Sequence, residues 1–458
     1  VTVNKRKSLL LAVGVLLACS ALVLFLRLPA LPQSQIDWDE SIYLLMARSL
    51  LQGNAPYTAI WDHKPPGIYL LFALAQVLFG QTVLAIRLLA LLVVTATCFL
   101  LWLYGRHVLG SRSVGALAAL FYALFSTQNG GLASNAEILF APFTVAALLL
   151  LRWRTGVPTA IRPQRRLTFL AAGLLLGAAI QIKAIAGMEL VAALALIALT
   201  PLCGRQQASR PAFRAAACAA AWVMAGALLP TLVAAAAFAL SGHWSDYLYA
   251  NFTANAIYLR GAPTLMPAAV MAALLSQARG ATLLWIAALA ALPLAALIRR
   301  RHPHTLLELG VLGLWLVCTL AATLLSRRLF PHYFLQTLPP FSLLAALVIV
   351  QAVRLDSHLP RARQGLLIGL ILAIGLAHPG RPAGAAKPGR DPGSAGRHTS
   401  CRAAGLHGQL SAGAHGPRRL SVRGRGAADA VLPDRGCHPD ALRAADDSQR
   451  RRRSHGRD

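Results

Sequence analysis

Residues 8–28, SLLLAVGVLLACSALVLFLRL, carry one charge, Arg27, and follow directly on Lys5-Arg6-Lys7. A run of that length crosses the ~30 Å hydrocarbon core as one helix, and a basic flank holds the preceding segment in the cytoplasm. The run is long and no small-residue cleavage site is clear, so it reads as an uncleaved first membrane helix and not as a signal peptide. Similar apolar runs recur at 83–104, 114–128, 136–151, 167–182, 185–201, 215–240, 280–298, 305–325, 335–353 and 364–377, giving eleven expected spans, the last cut short. Hydrophobic residues make up 57% of the 458 residues and charged residues 13%, too little charge to coat the soluble domains that this length would otherwise imply. The expected fold is all-α, a polytopic transmembrane helical bundle, and a multi-domain cytosolic enzyme is excluded. Seven scattered cysteines with no CxxC pair argue against a disulfide framework or a structural zinc site.

The net charge of +28 divides unevenly. Residues 1–377 carry 28 Lys and Arg against 9 Asp and Glu, and residues 378–458 carry 16 against 7. The last segment lacks Phe, Trp, Tyr, Ile and Met and is rich in Ala, Gly, Arg and Pro. Such a composition cannot bury enough apolar surface to offset chain entropy. Two domains are therefore expected: a membrane domain over 1–377 and a disordered basic tail over 378–458. The helix in progress at LLIGLILAIGLA (366–377) breaks abruptly at His378-Pro379-Gly380. That break favours a shifted reading frame in a GC-rich gene over a nucleic-acid- or lipid-binding tail, and no nucleic-acid partner is expected.

With the N-terminus in the cytoplasm, 19 of the 28 basic residues of 1–377 fall in inner loops, while Asp37, Asp39, Glu40, Asp62, Glu137 and Asp246 fall outside. Both signs agree with one topology. Two outer loops are long. The first reads RLPALPQSQIDWDESIYLLMARSLLQGNAPYTAIWDHKPPGIYLLFALAQVLFG (27–80). In it SIYLLMARSLL (41–51) sets Ile42, Leu45, Met46 and Leu50 on one helical face, and IYLLFALAQVLF (68–79) is apolar but too short to span, as in a helix lying in the interface. The second, about 241–279, is rich in aromatic residues that suit a membrane-surface belt.

The Asp39-Glu40 pair just after the first membrane helix, with His63-Lys64-Pro65-Pro66-Gly67-Ile68-Tyr69 closing the same loop, resembles the GT-C type glycosyltransferases that use polyprenyl-phosphate sugars. The protein mannosyltransferase and aminoarabinose transferase branch is the nearest. Asn135-Ala136-Glu137, Lys183 and Arg328-Leu329-Phe330-Pro331-His332-Tyr333-Phe334-Leu335-Gln336 support the resemblance, which covers about 1–375. It implies a GT-C-like bundle with interfacial helices in the first outer loop. It also implies sugar transfer from a polyprenyl-phosphate donor to a lipid or glycan acceptor at the outer, periplasmic face of a bacterial inner membrane. The chain departs from the family in having no recognisable soluble C-terminal domain.

The chemistry of these residues points the same way. A lipid phosphate is a good leaving group, so the transfer needs cations on the phosphate and a base for the acceptor hydroxyl. Lys64, Lys183, Arg327 and Arg328 are positive charges on the outer side without a topological role, which suits donor-phosphate binding; contact with lipid headgroups is the alternative. Asp39 is the expected base, with Glu40 orienting it or binding a metal; both could instead cap the helix that follows. Glu137 could complete a divalent-metal site, Mg or Mn, or cap the fourth helix. Glu189 is expected to pair with Lys183. His63 and His332 could contact a metal or the acceptor, or have no role, and Tyr333 and Gln336 complete the candidates. A transporter or lipid flippase is the alternative function. It should show internal repeats and mid-membrane charges, and the sequence has no such repeat.

Overall fold

This computed structural model describes residues 2–155, 163–203, 210–298 and 303–355, all within one compact unit. In chain order, α1 (Thr2–Arg27) leads to α2 (Trp38–Leu51) and α3 (Gly67–Phe79). Then follow α4 (Val83–His107), α5 (Arg112–Phe125), α6 (Ala136–Thr155), α7 (Pro163–Ile182), α8 (Gly187–Cys203) and α9 (Arg210–Leu240). Short α10 (Trp244–Leu248) and α11 (Ala254–Arg260) are joined by one π-helical turn, Tyr249–Thr253. The remainder is α12 (Pro267–Gly280), α13 (Thr282–Ile298), α14 (Pro303–Leu325), a 3-10 segment Pro331–Thr337, and α15 (Leu338–Leu355). No strand forms among the described residues.

Ten of the eleven expected spans fall on helices; the eleventh (364–377) and the tail (378–458) lie outside the described residues. Among the described residues six helices are long and apolar enough to cross a membrane, or seven if α12 and α13 form one broken span. Those two meet at 108°, so what reads in the sequence as loop before 280 is a helix turning sharply into the next. The expected span at 114–128 forms α5, 14 residues long, about 21 Å at 1.5 Å per residue. It is shorter than the bilayer core and sits against α4 and α15. α15 is the central helix: the segment 331–354 is buried throughout its most apolar window, packed by α5, α13 and α14. Helices α7 and α9 approach so closely that a Cβ on Gly173 would lie 2.1 Å from the Val223 carbonyl oxygen. A small residue there lets the two backbones touch.

The first loop forms both expected helices. The most buried residues of α2 are Glu40, Tyr43, Leu44, Met46 and Ala47, with Ile42 and Leu50 partly buried against the same core; Leu45 is 47% exposed. Tyr43 sets the rotation, since its ring meets Phe72 edge-on at 5.5 Å and Tyr69 at 6.3 Å across the α2–α3 contact, and such aromatic pairs add to plain burial. α3 buries Ile68, Tyr69, Phe72 and Gln76 while Leu70, Leu74, Val77 and Leu78 stay exposed and apolar, as expected of a helix at a lipid boundary.

Candidate functional site

The α1–α4 and α9–α12 connections gather at the bundle end where α6 begins and α7 and α14 finish. There the chain enters α2 through a capping box. The Asp37 side chain accepts from Asp39 N–H at 3.3 Å, and Glu40 Oε1 accepts from Ile36 N–H at 2.8 Å and Asp37 N–H at 3.4 Å. The cap thus falls on Asp37 and Glu40 and leaves the Asp39 carboxylate out of it. Asp39 Oδ2 accepts from the Tyr43 hydroxyl at 3.0 Å, and its side chain is 30% exposed.

Glu40 is 1% exposed and fully engaged. Arg87 of α4 grips both its oxygens, with Nη2 to Oε1 at 2.6 Å, and Ser134 N–H donates to Oε2 at 3.0 Å. Burial would raise its pKa, but the bonds from Arg87, Ser134 and Ile36 outweigh it and hold the carboxyl below its usual range. Glu40 therefore ties the α2 entry to α4 and to the α5–α6 loop, and orients Asp39 by fixing the helix that carries it.

The turn from α2 to α3 presents Lys64. Tyr57 holds a left-handed backbone (φ 73°), a strained conformation for a bulky residue. Its hydroxyl donates to the Lys64 carbonyl at 2.8 Å and accepts from Asn251 Nδ2 at 3.3 Å. Asn255 Nδ2 donates to the His63 carbonyl at 3.0 Å, so α10–α11 clamps the turn from outside. Asp62 accepts from His63 N–H at 2.7 Å and the Tyr69 hydroxyl at 3.0 Å. Its burial raises the pKa, but His63 and Lys64 pull it below the usual carboxylate range. Gly67 lies against Gln181 at the end of α7, where a Cβ would meet the Gln181 carbonyl oxygen at 2.6 Å. That contact brings the Lys64 turn beside Lys183.

Both lysines are buried, Lys64 at 8% and Lys183 at 9% exposure. Lys183 pairs with Glu137 and stands 3.9 Å over the Tyr333 ring. Burial pushes its ammonium down and Glu137 opposes; Lys64 and Asp39 are also near enough to act on it. Lys64 Nζ touches His63 Nε2 at 3.5 Å and lies 6.0 Å from the Tyr43 ring centre. Among the described residues no carboxylate comes within ion-pair distance of it.

The 3-10 segment after α14 closes the site. His332 stands between two carboxylates, Nδ1 3.8 Å from Asp37 Oδ2 and Nε2 4.0 Å from Asp39 Oδ2. Arg328 lies over the Tyr258 ring at 4.1 Å, and Tyr258 stacks near His63 at 4.9 Å. Arg327 and Leu329 flank it with φ of 57° and 52°. Among the described residues no contact ties Arg327 to the lysines or carboxylates. Gln336 donates to Thr323 Oγ1 at 2.9 Å inside the bundle and serves packing of the segment rather than the open site.

The structure therefore brings together Asp39, Lys64, Lys183, His63, Glu137, Arg328, His332 and Tyr333. It corrects one pairing: Lys183 takes Glu137, while Glu189 faces α14 and accepts from the Trp315 indole, because α8 turns its first helical face inward. Glu137 is engaged by that ammonium, and among the described residues no three His, Cys, Asp or Glu side chains are gathered to hold a metal ion. Sequence reasoning missed Asp37, Tyr43, Arg87 and Tyr258. Asp37-x-x-Glu40 was a legible capping box, and Arg87 is the one charge in the 83–104 run, a signal by itself.

Residues 63–229 match the family model described as dolichyl-phosphate-mannose-protein mannosyltransferase. The fold is similar to ArnT from Cupriavidus metallidurans, solved bound to undecaprenyl phosphate, with TM-score 0.53 and 17% identity over 81% of this chain and 64% of that one. It is also similar to the apo oligosaccharyltransferase of Archaeoglobus fulgidus, with TM-score 0.51 and 15% identity over 81% of this chain and 55% of that one. No curated protein matches the sequence significantly. The chain thus spans somewhat less than two thirds of the solved structures it resembles. The resemblance read from the motifs is borne out, and the chain is a multi-pass membrane protein with the GT-C fold.

Proposed function

We propose that this protein is a glycosyltransferase of the cell envelope that moves a sugar from a polyprenyl phosphate to a hydroxyl of a lipid or glycan acceptor. The observation that carries the reading is Lys64, a buried ammonium that touches the His63 ring nitrogen and has no carboxylate within ion-pair distance among the described residues, beside Lys183 and a half-open carboxylate, Asp39. Burying an ammonium without a carboxylate in direct contact is costly, and an anionic ligand relieves that cost. The donor phosphate on the two lysines supplies it. The acceptor oxygen then attacks the anomeric carbon, and the bond to the phosphate oxygen breaks with its electron pair retained by the phosphate. The lysines stabilise the charge that develops there, and Asp39 faces the attacking hydroxyl as the proton leaves. The family match and the lipid phosphate bound by ArnT support the donor class.

Lys64→Ala is expected to weaken binding of polyprenyl phosphate roughly 10–100-fold, from about 1.5–3 kcal/mol for a hydrogen bond to a charged group. Arg48, half-buried and bonded to the Gln81 carbonyl away from the lysines, is the control; Arg48→Ala should leave affinity unchanged. Equal affinity for wild type and Lys64→Ala in a direct lipid-binding titration would remove the phosphate clamp. The reading also places the site on the outer face of the inner membrane with the N-terminus in the cytoplasm. A reporter fused after Asp62 should then read periplasmic and one after Arg165 cytoplasmic, and the reversed pair would put the site on the wrong face.

A further inference from the structure

One imidazole meets two carboxylates at this site, each through a different ring nitrogen, and the proposed chemistry so far uses only one of the carboxylates. His332 Nδ1 faces Asp37 Oδ2 at 3.8 Å and Nε2 faces Asp39 Oδ2 at 4.0 Å. Nε2 is buried and makes no hydrogen bond among the described residues. The ring is held from its other sides: Phe330 stacks on it at 5.8 Å and Tyr333 meets it edge-on at 4.7 Å. Gly130 backs the Asp37 side, with a Cβ position 3.8 Å from Asp37 Oδ2 and 4.0 Å from His332 Cβ.

We infer that His332 is a catalytic residue that takes the acceptor proton, with Asp37 as the positioning residue that orients it. The inference rests on the transferase reading above and deepens it. A hydroxyl oxygen about 2.8 Å from each of two atoms 4.0 Å apart subtends about 90° between them; with the Nδ1 proton on the Asp37 side, Nε2 and the Asp39 carboxylate are both acceptors, so a hydroxyl between them has two places for its one proton. The acceptor hydroxyl therefore fits between Nε2 and Asp39 Oδ2. As its oxygen bonds to the anomeric carbon and the sugar–phosphate bond breaks, its proton passes to Nε2, directly or through Asp39. The imidazolium that results lies between two carboxylates, and the polyprenyl phosphate leaves with the electron pair. Chemistry favours this division of labour, since a base works best when its pKa lies near the working pH, where imidazole titrates and an ordinary carboxylate does not. The charged and titratable groups facing the ring are Asp37, Asp39 and Tyr333, with Lys183 beyond Tyr333.

The test is the pH profile of kcat/KM on full-length protein, with binding of polyprenyl phosphate to the same preparations as the check on folding. His332→Gln should lower kcat/KM about 10²–10⁴-fold and abolish the acid limb, with lipid binding retained. Asp37→Asn keeps the helix cap, because Asn caps as well as Asp, but removes the negative charge behind the ring. It should move the acid limb to lower pH, and a purely structural cap would not do that. Wild-type turnover and an unchanged acid limb in His332→Gln would overturn the inference, as would an Asp37→Asn profile that superimposes on wild type. Either result with intact lipid binding and a defective Asp39→Asn would leave the transferase reading standing and remove only this assignment.

Discussion

Asp39→Asn is expected to lower turnover about 10²–10⁴-fold, the usual contribution of a positioned base, while affinity for polyprenyl phosphate stays near wild type. The structure makes this substitution informative. Asp39 takes no part in capping α2, which Asp37 and Glu40 accomplish, and Asn retains an oxygen for the Tyr43 hydroxyl that Asp39 accepts. Thermal stability should therefore barely change, and a loss of rate cannot be charged to an unravelled helix. Lys64 meets a phosphate that is charged already in the ground state, whereas Asp39 acts as the proton moves, so Lys64→Ala loses binding and Asp39→Asn loses rate. Normal turnover in Asp39→Asn would leave the proton to His332 alone, because Glu40 and Glu137 are already committed to Arg87 and Lys183.

Arg87→Leu is expected to destabilise the fold by about 3–5 kcal/mol, the range for breaking a buried ion pair by removing one partner. The loss arises because the Glu40 carboxylate stays buried with only backbone N–H donors left. The double substitution Arg87→Leu with Glu40→Leu should recover part of it, since replacing both charges removes the unpaired one. Unfolding in detergent monitored by tryptophan fluorescence measures both; a single variant as stable as wild type would show that the pair does not hold the α2 entry. The pair also has a pH signature. The folded Glu40 pKa lies below its unfolded value, so its contribution is complete above the unfolded carboxylate range, near pH 4.3. It is lost as pH falls through the folded pKa. Stability that depends on Glu40 should therefore be flat around neutrality and decline only in acid.

The spans and the motifs were legible because bilayer thickness imposes a run length and because charges in the outer loops stand out against an apolar chain. Lys64 and Lys183 were found as positive charges without a topological task and Asp39 through the Asp-Glu pair of the first outer loop, and the fold brings them together. The facing of α2 was not legible: both sides of SIYLLMARSLL are apolar, so periodicity cannot say which one packs, and the Tyr43 contacts with Tyr69 and Phe72 decide it. The partner of Lys183 was misread because Glu189 is near in sequence, whereas Glu137 is brought to it by the packing of α6 on α7. The 108° bend between α12 and α13 has no proline at its corner, and Gly280 in a polar SQARG stretch reads equally well as loop.

Full-length protein reconstituted in liposomes with polyprenyl phosphates carrying labelled hexose or pentose, and a membrane lipid and glycan extract as acceptor, gives the most direct measurement. Label should pass from the donor to a new lipid or glycan product with wild type, and the transfer should fall about 10²-fold or more with Asp39→Asn. Label that stays on polyprenyl phosphate with every donor while the lipid crosses the bilayer would contradict the account, and would make the chain a transporter built on the same fold.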